Sequence, residues 1–249
     1  MQKHHQAHIT FSGDEIPEEE SAIVMANHRS WTDFYMIHSV AIRKKMLSNC
    51  KYFVKDSLKF LPFFGWGMWL MGMIFVKRNW VKDQAKINQM FATINEFKSP
   101  VWIISFVEGT RFTPQKLVDS QLFSQERGLP VMKNLLVPRT KGFVACVQKL
   151  RNSHVHYVYD LTIAYNHRLE GLRGFGIPPD MLRVHAGRLS PEYDFHIHVR
   201  RYPIAELPEE DEALAEWVHD RYVEKDRILE RLKDKWIDGV EGGVWTESW

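Results

Sequence analysis

Residues 21–33 have the sequence SAIVMANHRSWTD, in which an apolar run passes directly into a polar segment. The run over residues 21–26 predicts a short buried strand. A helix is predicted over residues 31–44, where Ser30 or Thr32 can cap the first turn and apolar side chains recur at helical spacing. A strand that enters a helix through a polar loop is typical of an α/β domain.

On both sides of this segment, strand and helix patterns alternate. Further strands are predicted at residues 51–55, 72–78, 101–107, 134–138, 156–165 and 194–202. Further helices are predicted at residues 83–97, 142–150 and 209–235. The order predicts the α/β class, as a single three-layer α/β/α domain with a mixed central sheet. We expect a mobile N-terminal segment at residues 1–20, the domain at residues 21–205, and a C-terminal helical extension at residues 206–249 that docks on the domain or on a partner.

The composition of the 249-residue chain narrows the classes of function. A formal charge of +2 without a basic block indicates no nucleic-acid partner. Cys50 and Cys146 lie far apart and match neither a disulfide framework nor a zinc motif, which fits a reducing compartment. Residues 1–20 lack the apolar core of a signal peptide. We therefore expect a globular domain without a resident metal.

Residues 58–76 form a long apolar stretch in which Lys59 is the only charge. The stretch is long enough to span a bilayer, but Pro62 and three glycines interrupt it. A short apolar helix followed by a buried strand is therefore favoured over a transmembrane helix. Its aromatic residues either pack in the core or contact a membrane surface; they are Phe63, Phe64, Trp66 and Trp69.

His28 and Asp33 follow the first predicted strand, at the end where α/β folds tend to place reactive groups. With His28 in the loop and Asp33 in the first helical turn, the carboxylate can fix the tautomer of the imidazole and stabilise its protonated form. His28 would then act as a general base toward a substrate hydroxyl, which serves as the nucleophile. The alternative is a His–Asp pair that only packs.

Glu108, Gly109, Thr110 and Arg111 follow the strand predicted at residues 101–107. Gly109 would let the backbone approach a ligand, and Thr110 supplies a hydroxyl. Arg111 has the planar fork that suits a phosphate, and Glu108 can hold that arginine in place. The alternative is an ordinary turn with a surface ion pair.

Residues 27–33 and 108–111 resemble the NHx4D and EGTR blocks of the glycerolipid acyltransferases, which include lysophosphatidic acid and glycerol-3-phosphate acyltransferases. Residues 72–78, GMIFVKR, are similar to the family's glycine-led strand that ends in arginine. Residues 135–138, LLVP, are similar to its apolar strand that ends in proline. The continuation RTKG at residues 139–142 resembles the eukaryotic acyl-CoA-dependent branch. Four blocks in the family's order are far more specific than any one of them.

The resemblance implies an acyltransferase domain that moves a fatty acyl group from acyl-CoA to the hydroxyl of lysophosphatidic acid or a related lysophospholipid. It implies His28 as the base and Asp33 as its partner, without a metal or a cofactor other than the co-substrate acyl-CoA. Pro138 would help to shape the acyl or donor site, and Lys141 is added on grounds of charge alone. The residues expected to bind the acceptor are Arg78, Glu108, Gly109, Thr110 and Arg111.

The expected partners are acyl-CoA, a lysophospholipid acceptor and a membrane surface, while the oligomeric state stays open. We expect the protein on the cytoplasmic side of the endoplasmic reticulum, with a mitochondrial membrane as the alternative. Three other functions fit the residues. The acceptor could be glycerol-3-phosphate, lysocardiolipin or lysophosphatidylinositol. The chain could instead be a non-catalytic lipid-binding protein on the same fold, or a hydrolase in which His28 activates water.

Overall fold

The computed structural model describes residues 6–77, 80–236 and 244–245. The strands are β1 His8–Gly13, β2 Ala22–Ala26, β3 Cys50–Lys55, β4 Ile74–Val76, β5 Trp102–Phe106, β6 Tyr157–His167, β7 Tyr193–Pro203 and β8 Val244–Trp245. The α-helices are α1 Thr32–Arg43, α2 Phe64–Leu70, α3 Trp80–Phe97, α4 Pro114–Glu126, α5 Thr140–Leu150, α6 Met181–His185 and α7 Asp211–Asp234.

The strands form one mixed sheet in the order β4-β3-β5-β2-β6-β7-β1-β8. Five neighbouring strands, β4, β3, β5, β2 and β6, run parallel to one another. Strand β1 is parallel to β7. The pairs β6–β7 and β1–β8 are antiparallel. The central strand β2 is fully buried, which explains why its sequence is a continuous apolar run rather than an alternating one.

Helices cover both faces of the sheet. On one face, α1 packs Met36, Ile37 and Val40 against β2, β5 and β6. On the other face, a second core joins the sheet to α3, α5 and α7, through side chains such as Phe91 and Val147. These two cores confirm the predicted three-layer α/β/α fold with a mixed sheet.

The prediction for the N-terminal segment was wrong at residues 8–13. We expected residues 1–20 to be mobile, but residues 8–13 form β1, whose Phe11 is fully buried. The opposite face of β1 carries Thr10 and Ser12, which hydrogen-bond to the buried imidazole of His196 at 2.7 and 2.8 Å. Because this buried face is polar, the strand has no apolar run by which it could be recognised.

The C-terminal region is part of the same fold. Helix α7 places Leu214, Val218, Tyr222 and Leu229 in the core shared with the sheet, so it docks on the domain. Strand β8 pairs with β1 at one edge of the sheet. The described residues of this region, 206–236 and 244–245, are therefore not a separate extension.

Near the middle of the chain, one predicted strand does not form and one helix was not predicted. Residues 134–138 do not form a strand, since their backbone N–H groups bond to side chains: Val137 N donates to Ser120 Oγ at 2.9 Å, and Asn134 N to Asp226 Oδ1 at 2.7 Å. Helix α4 was not predicted because most of its side chains are polar. Its start does follow a local rule, with Thr113 as the N-cap and Pro114 at the first position.

The apolar stretch at residues 58–76 contains the short helix and the strand that its sequence favoured. A 3-10 helix at Asp56–Phe60 leads into α2, and β4 follows at the edge of the sheet. In the described part of the chain, no helix combines the length and the apolar character that crossing a membrane requires.

Candidate active site

The sheet brings the first two sequence blocks to one place. In the parallel pair β2–β5, Ala26 lies opposite Phe106. His28 and Glu108 each come two residues after this paired position, so the two loops begin side by side. The backbone N–H of His28 donates to Glu108 Oε1 at 3.0 Å, and Phe112 N donates to the carbonyl of His28 at 2.8 Å. The two loops are thereby joined side by side, at the carboxyl ends of the parallel strands.

The His28–Asp33 pair has the geometry expected from the sequence. His28 Nδ1 lies 2.7 Å from Asp33 Oδ2, and the same oxygen accepts the backbone N–H groups of Arg29 and Ser30 at 2.6 and 2.9 Å. Asp33 is fully buried in the first turn of α1, whereas the side chain of His28 keeps 18% of its surface exposed. A carboxylate in this position favours the tautomer with the proton on Nδ1, which leaves Nε2 as a base.

Tyr165 extends this pair to a third residue. Its hydroxyl donates to Asp33 Oδ1 at 2.5 Å, from a fully buried position on β6. Burial, together with the negative charge of Asp33, raises the pKa of Tyr165 well above its usual value, so the phenol stays a donor. Both oxygens of Asp33 therefore have hydrogen-bond donors. The sequence marked the strand but not this role, because Tyr165 lies 132 residues from Asp33.

Aromatic rings enclose the imidazole of His28. The ring of Phe106 stacks on it at 4.1 Å between centroids, and Phe34 meets it edge-on at 6.2 Å. These apolar walls restrict the orientation of the imidazole and limit its contact with water.

Glu108 does not have the role we expected for it. Its side chain is only 2% exposed, and no contact among the described residues joins it to Arg111. Burial raises the pKa of Glu108 to about 8, although the N–H of His28 lowers it in part. Oε2 has no hydrogen-bond partner within the described part of the chain. Glu108 thus supports the His28 loop from behind rather than holding Arg111.

Arg29 joins three loops, a role that was not predicted from the sequence. Its guanidinium donates to the carbonyl groups of Gly176 at 3.1 Å and Asn134 at 2.9 Å. It also lies 4.1 Å from the ring centroid of Phe112. Burial lowers the pKa of Arg29, and these contacts hold it as a structural cation.

Exposed cations lie around the EGTR turn. Gly109 adopts a φ of +68°, and a Cβ there would come within 2.9 Å of Arg139 Cδ, so the side chain of Arg139 passes directly over the turn. Arg111, Arg139 and Lys141 are exposed, and no ion pair within the described ranges engages them. Arg139 was not predicted as a site residue, although its place in the RTKG continuation could have indicated it.

The remaining predicted residues have different positions. The hydroxyl of Thr110 accepts a hydrogen bond from Lys116 Nζ at 2.7 Å, which also holds the carbonyl of Arg111 at 2.9 Å. Pro138 is buried, one residue before Arg139. Arg78 lies outside the described residues.

The aromatic residues of the apolar stretch do not pack in the core. Phe63 is 84% exposed and Trp69 is 69% exposed, with Phe64 and Trp66 also exposed. The core-packing alternative is therefore wrong for these four side chains. Together with Phe60, Leu61, Leu70 and Met71 they form an aromatic patch on the surface.

The aromatic patch is connected to the His28–Asp33 pair by rings in contact. The ring of Phe64 lies 6.1 Å from that of Trp31, which lies 5.0 Å from that of Phe34 beside His28. An apolar path thus leads from the exposed patch to the imidazole.

Comparisons with known proteins find two family models that match this chain. The family model described as Acyltransferase matches residues 8–166, and a second model, Acyltransferase C-terminus, matches residues 191–236. The first match begins at β1 and covers the described part of the site from β2 to Tyr165.

Relatives are found in plants and animals. The 1-acyl-sn-glycerol-3-phosphate acyltransferase 2 of Arabidopsis thaliana is 38% identical over 213 residues, or 86% of this chain and 52% of that protein. The 1-acyl-sn-glycerol-3-phosphate acyltransferase delta of Bos taurus is 34% identical over 212 residues, or 85% of this chain and 53% of that protein. The chain thus spans about half the length of these curated relatives.

The fold is also similar to a solved structure. The crystal structure of the 1-acyl-sn-glycerophosphate (LPA) acyltransferase from Thermotoga maritima has a TM-score of 0.52 and 18% identity to this chain. The match covers 93% of this chain and 75% of the other. At 18% sequence identity, this similarity shows a shared fold and nothing more.

Proposed function

The chain belongs to the glycerolipid acyltransferase family, and from this premise we propose that it transfers a fatty acyl group from acyl-CoA to the free hydroxyl of lysophosphatidic acid. The observation that carries the proposal is the His28–Asp33 pair, which lies beside exposed cations at the open end of the sheet. A base and a phosphate-binding surface in one place suit an acceptor that carries both a hydroxyl and a phosphate.

In the proposed reaction, His28 Nε2 removes the proton of the acceptor hydroxyl as the oxygen attacks the thioester carbonyl. Asp33 stabilises the imidazolium that forms, and its own charge is held by Tyr165 and two backbone N–H groups. The tetrahedral intermediate then expels the CoA thiolate, which takes the proton from His28. The substrate hydroxyl is the nucleophile, so no acyl-enzyme forms.

The acceptor phosphate is proposed to bind Arg111 and Lys141, with Arg139 beside them. The packing of the Arg139 stem over Gly109 supports this assignment, because it holds one cation at the turn that follows β5. Glu108 is assigned to the support of the His28 loop, and Pro138 to the shape of the loop that carries Arg139. Arg78 stays a candidate ligand from its sequence alone.

We further propose that the protein works at a membrane surface on the cytoplasmic side, at the endoplasmic reticulum. The exposed aromatic patch supports membrane contact because aromatic side chains favour the interface between lipid and water. The free, buried thiols of Cys50 and Cys146 fit a reducing compartment.

CoA release from oleoyl-CoA in detergent–phospholipid micelles tests the function, across lysophospholipids and glycerol-3-phosphate. We expect release that depends on lysophosphatidic acid and disappears in His28→Ala, while the circular dichroism of the variant stays unchanged. Release without any acceptor would instead indicate a hydrolase. A folded protein that binds the micelles but releases no CoA with any acceptor would favour a lipid-binding role.

A further inference from the structure

A second group of apolar side chains is exposed on the excursion between β6 and β7. Leu169 and Leu182 are 78% and 80% exposed, and Met181 and Ile177 are also exposed. We call these four residues the second patch. Isolated exposed apolar residues are common on protein surfaces, but four within a short segment need a reason.

The second patch stands on a fixed element. Asp180 caps α6 by accepting the backbone N–H of Arg183 at 2.6 Å. Val184, on the inner side of the same helix, is buried. The guanidinium of Arg183 forms an ion pair with Glu192, whose carbonyl accepts the backbone N–H of Arg168 at 2.9 Å. These contacts hold Met181, Leu182 and the Arg168–Leu169 corner in one place.

The same element is attached to the catalytic loop. Thr32 is the residue before Asp33, and its hydroxyl donates to the carbonyl of Pro179 at 2.8 Å. Tyr35 Oη lies 2.8 Å from His185 Nε2 at the end of α6. The second patch is therefore connected to the loop that carries the catalytic pair.

The two apolar surfaces adjoin neighbouring residues at the start of α1. Trp31 and Tyr35 are one helical turn apart and thus neighbours on the helix surface. Trp31 contacts Phe64 of the aromatic patch, and Tyr35 contacts His185 of α6. His28 and Asp33 lie at this same turn, so both apolar surfaces adjoin the turn that carries the base.

The charges around this face suit a phospholipid surface. Residues 51–77, which include the aromatic patch, contain four lysines and one aspartate. Beside the second patch, Arg168 and Arg183 are neutralised by Asp194 and Glu192. The aromatic side thus complements anionic head groups, whereas the second patch presents apolar surface without net charge.

We propose that the second patch is a membrane-contact element of its own, which enters the same lipid monolayer as the aromatic patch and holds the His28 opening between them against the bilayer. The inference rests on the proposed function, since an acceptor that resides in the membrane must reach His28 from that side. Two separate membrane contacts fix the orientation of the protein, and therefore of His28, toward the lipid. With a single patch the protein could rotate on the membrane surface.

Site-directed labelling tests the proposal directly. Cys50 and Cys146 are buried, and burial raises the pKa of each thiol to about 12. A maleimide or iodoacetamide probe will therefore react with a new surface cysteine in preference to these two thiols. Leu182→Cys carries the environment-sensitive fluorophore NBD. Leu47→Cys is the matched control, because Leu47 is an exposed leucine just beyond the opposite end of α1.

With phosphatidylcholine vesicles, and with vesicles that also contain phosphatidic acid, we expect a blue shift of the label at position 182 and none at position 47. Met181→Glu/Leu182→Glu should weaken vesicle binding about tenfold on both compositions, since two apolar side chains no longer enter the lipid. Leu47→Glu should bind like the wild type. A label at position 182 that stays in water while the protein binds vesicles would overturn the proposal.

Two further measurements separate the causes of a negative result. A shift at position 182 that depends on protein concentration without vesicles would assign the patch to a second copy of the chain and overturn membrane contact. Transfer to a short-chain, water-soluble lysophosphatidic acid should be equal in the wild type and Met181→Glu/Leu182→Glu. If the wild type shows no such transfer, the proposed reaction fails, and the vesicle measurement still decides the membrane contact.

Discussion

Tyr165 is the residue that completes the charge environment of Asp33. Phenylalanine at this position would leave one oxygen of a buried carboxylate without a donor, at a cost of about 1–3 kcal/mol. We expect Tyr165→Phe to lower kcat about tenfold while KM changes little, because the carboxylate positions the base and does not touch the substrate. Steady-state kinetics with lysophosphatidic acid measure this separation.

Tyr159→Phe is the matched control. Tyr159 is fully buried on the same strand and face, and its hydroxyl donates to a carboxylate of Glu20 at 2.5 Å, away from His28. Both variants should lose stability, and only Tyr165→Phe should lose kcat. Equal kinetic effects in the two variants would show that Tyr165 has no specific part in the reaction.

The buried carboxyl of Glu108 makes part of the stability depend on pH. Its pKa is about 8 in the folded protein and near 4.5 in the unfolded chain, because burial disfavours the carboxylate. Between these values Glu108 binds more protons in the folded state, so the contribution of this carboxyl to stability falls as pH rises from about 5 to 8, by at most about 1.4 kcal/mol per pH unit. Glu108→Gln should remove this slope. Urea unfolding of both proteins at several pH values measures it.

The same variant also tests the assignment of Glu108. Glutamine keeps an oxygen that can accept the N–H of His28, so the loop should be retained and activity should stay close to that of the wild type. Glu108→Ala should be far less active. If glutamine abolishes activity in a folded protein, the carboxylate itself acts on the substrate.

At the scale of elements, the turn after β5 depends on a glycine. Alanine at Gly109 would strain the left-handed backbone by about 1–2 kcal/mol and displace the stem of Arg139, which lies 2.9 Å from the new Cβ. We expect Gly109→Ala to raise KM for the acceptor. Gly142→Ala in α5 meets no neighbour and should stabilise the helix by up to about 1 kcal/mol, with KM unchanged.

The elements that the sequence predicted well are those with local signals. Residues 21–44 contain an apolar run, a polar loop and a periodic helix, and β2 and α1 follow that pattern closely. The His28–Asp33 bond was predictable for the same reason, since both residues belong to that unit. Residues 134–138 read as a strand because apolar content does not reveal that their backbone bonds are taken by Ser120 and Asp226.

Contacts between distant residues were not predictable. Tyr165 acquires its role only when β6 lies beside β2, and β1 is stabilised by a polar layer from β7 that lies 186 residues further along the chain. A single sequence contains no local signal for such pairs. These contacts arise from the order of the strands in the sheet.

At the scale of the whole molecule, β1 and β7 are joined by a buried network of hydroxyl and imidazole groups. Ser12 Oγ lies 2.8 Å from His196 Nε2 and 2.9 Å from His198 Nδ1, and Thr10 Oγ1 lies 2.7 Å from His196 Nδ1. Burial lowers the pKa of His196 to about 3 and that of His198 to about 4, with the charge of Arg200 adding to the latter. Both imidazoles are therefore neutral in the folded protein.

This network predicts how the whole fold responds to acid. Below pH 6.5 the unfolded chain protonates these histidines and the folded chain does not, so stability falls on acidification, by at most about 1.4 kcal/mol per pH unit for each histidine. His196→Gln should reduce the slope of unfolding free energy between pH 6.5 and 4 relative to the wild type. His156→Gln, at an exposed position, should not. Equal slopes in all three proteins would mean that β1 separates from β7 before the histidines protonate, and hydrogen exchange of β1 amides would then show early opening of this edge.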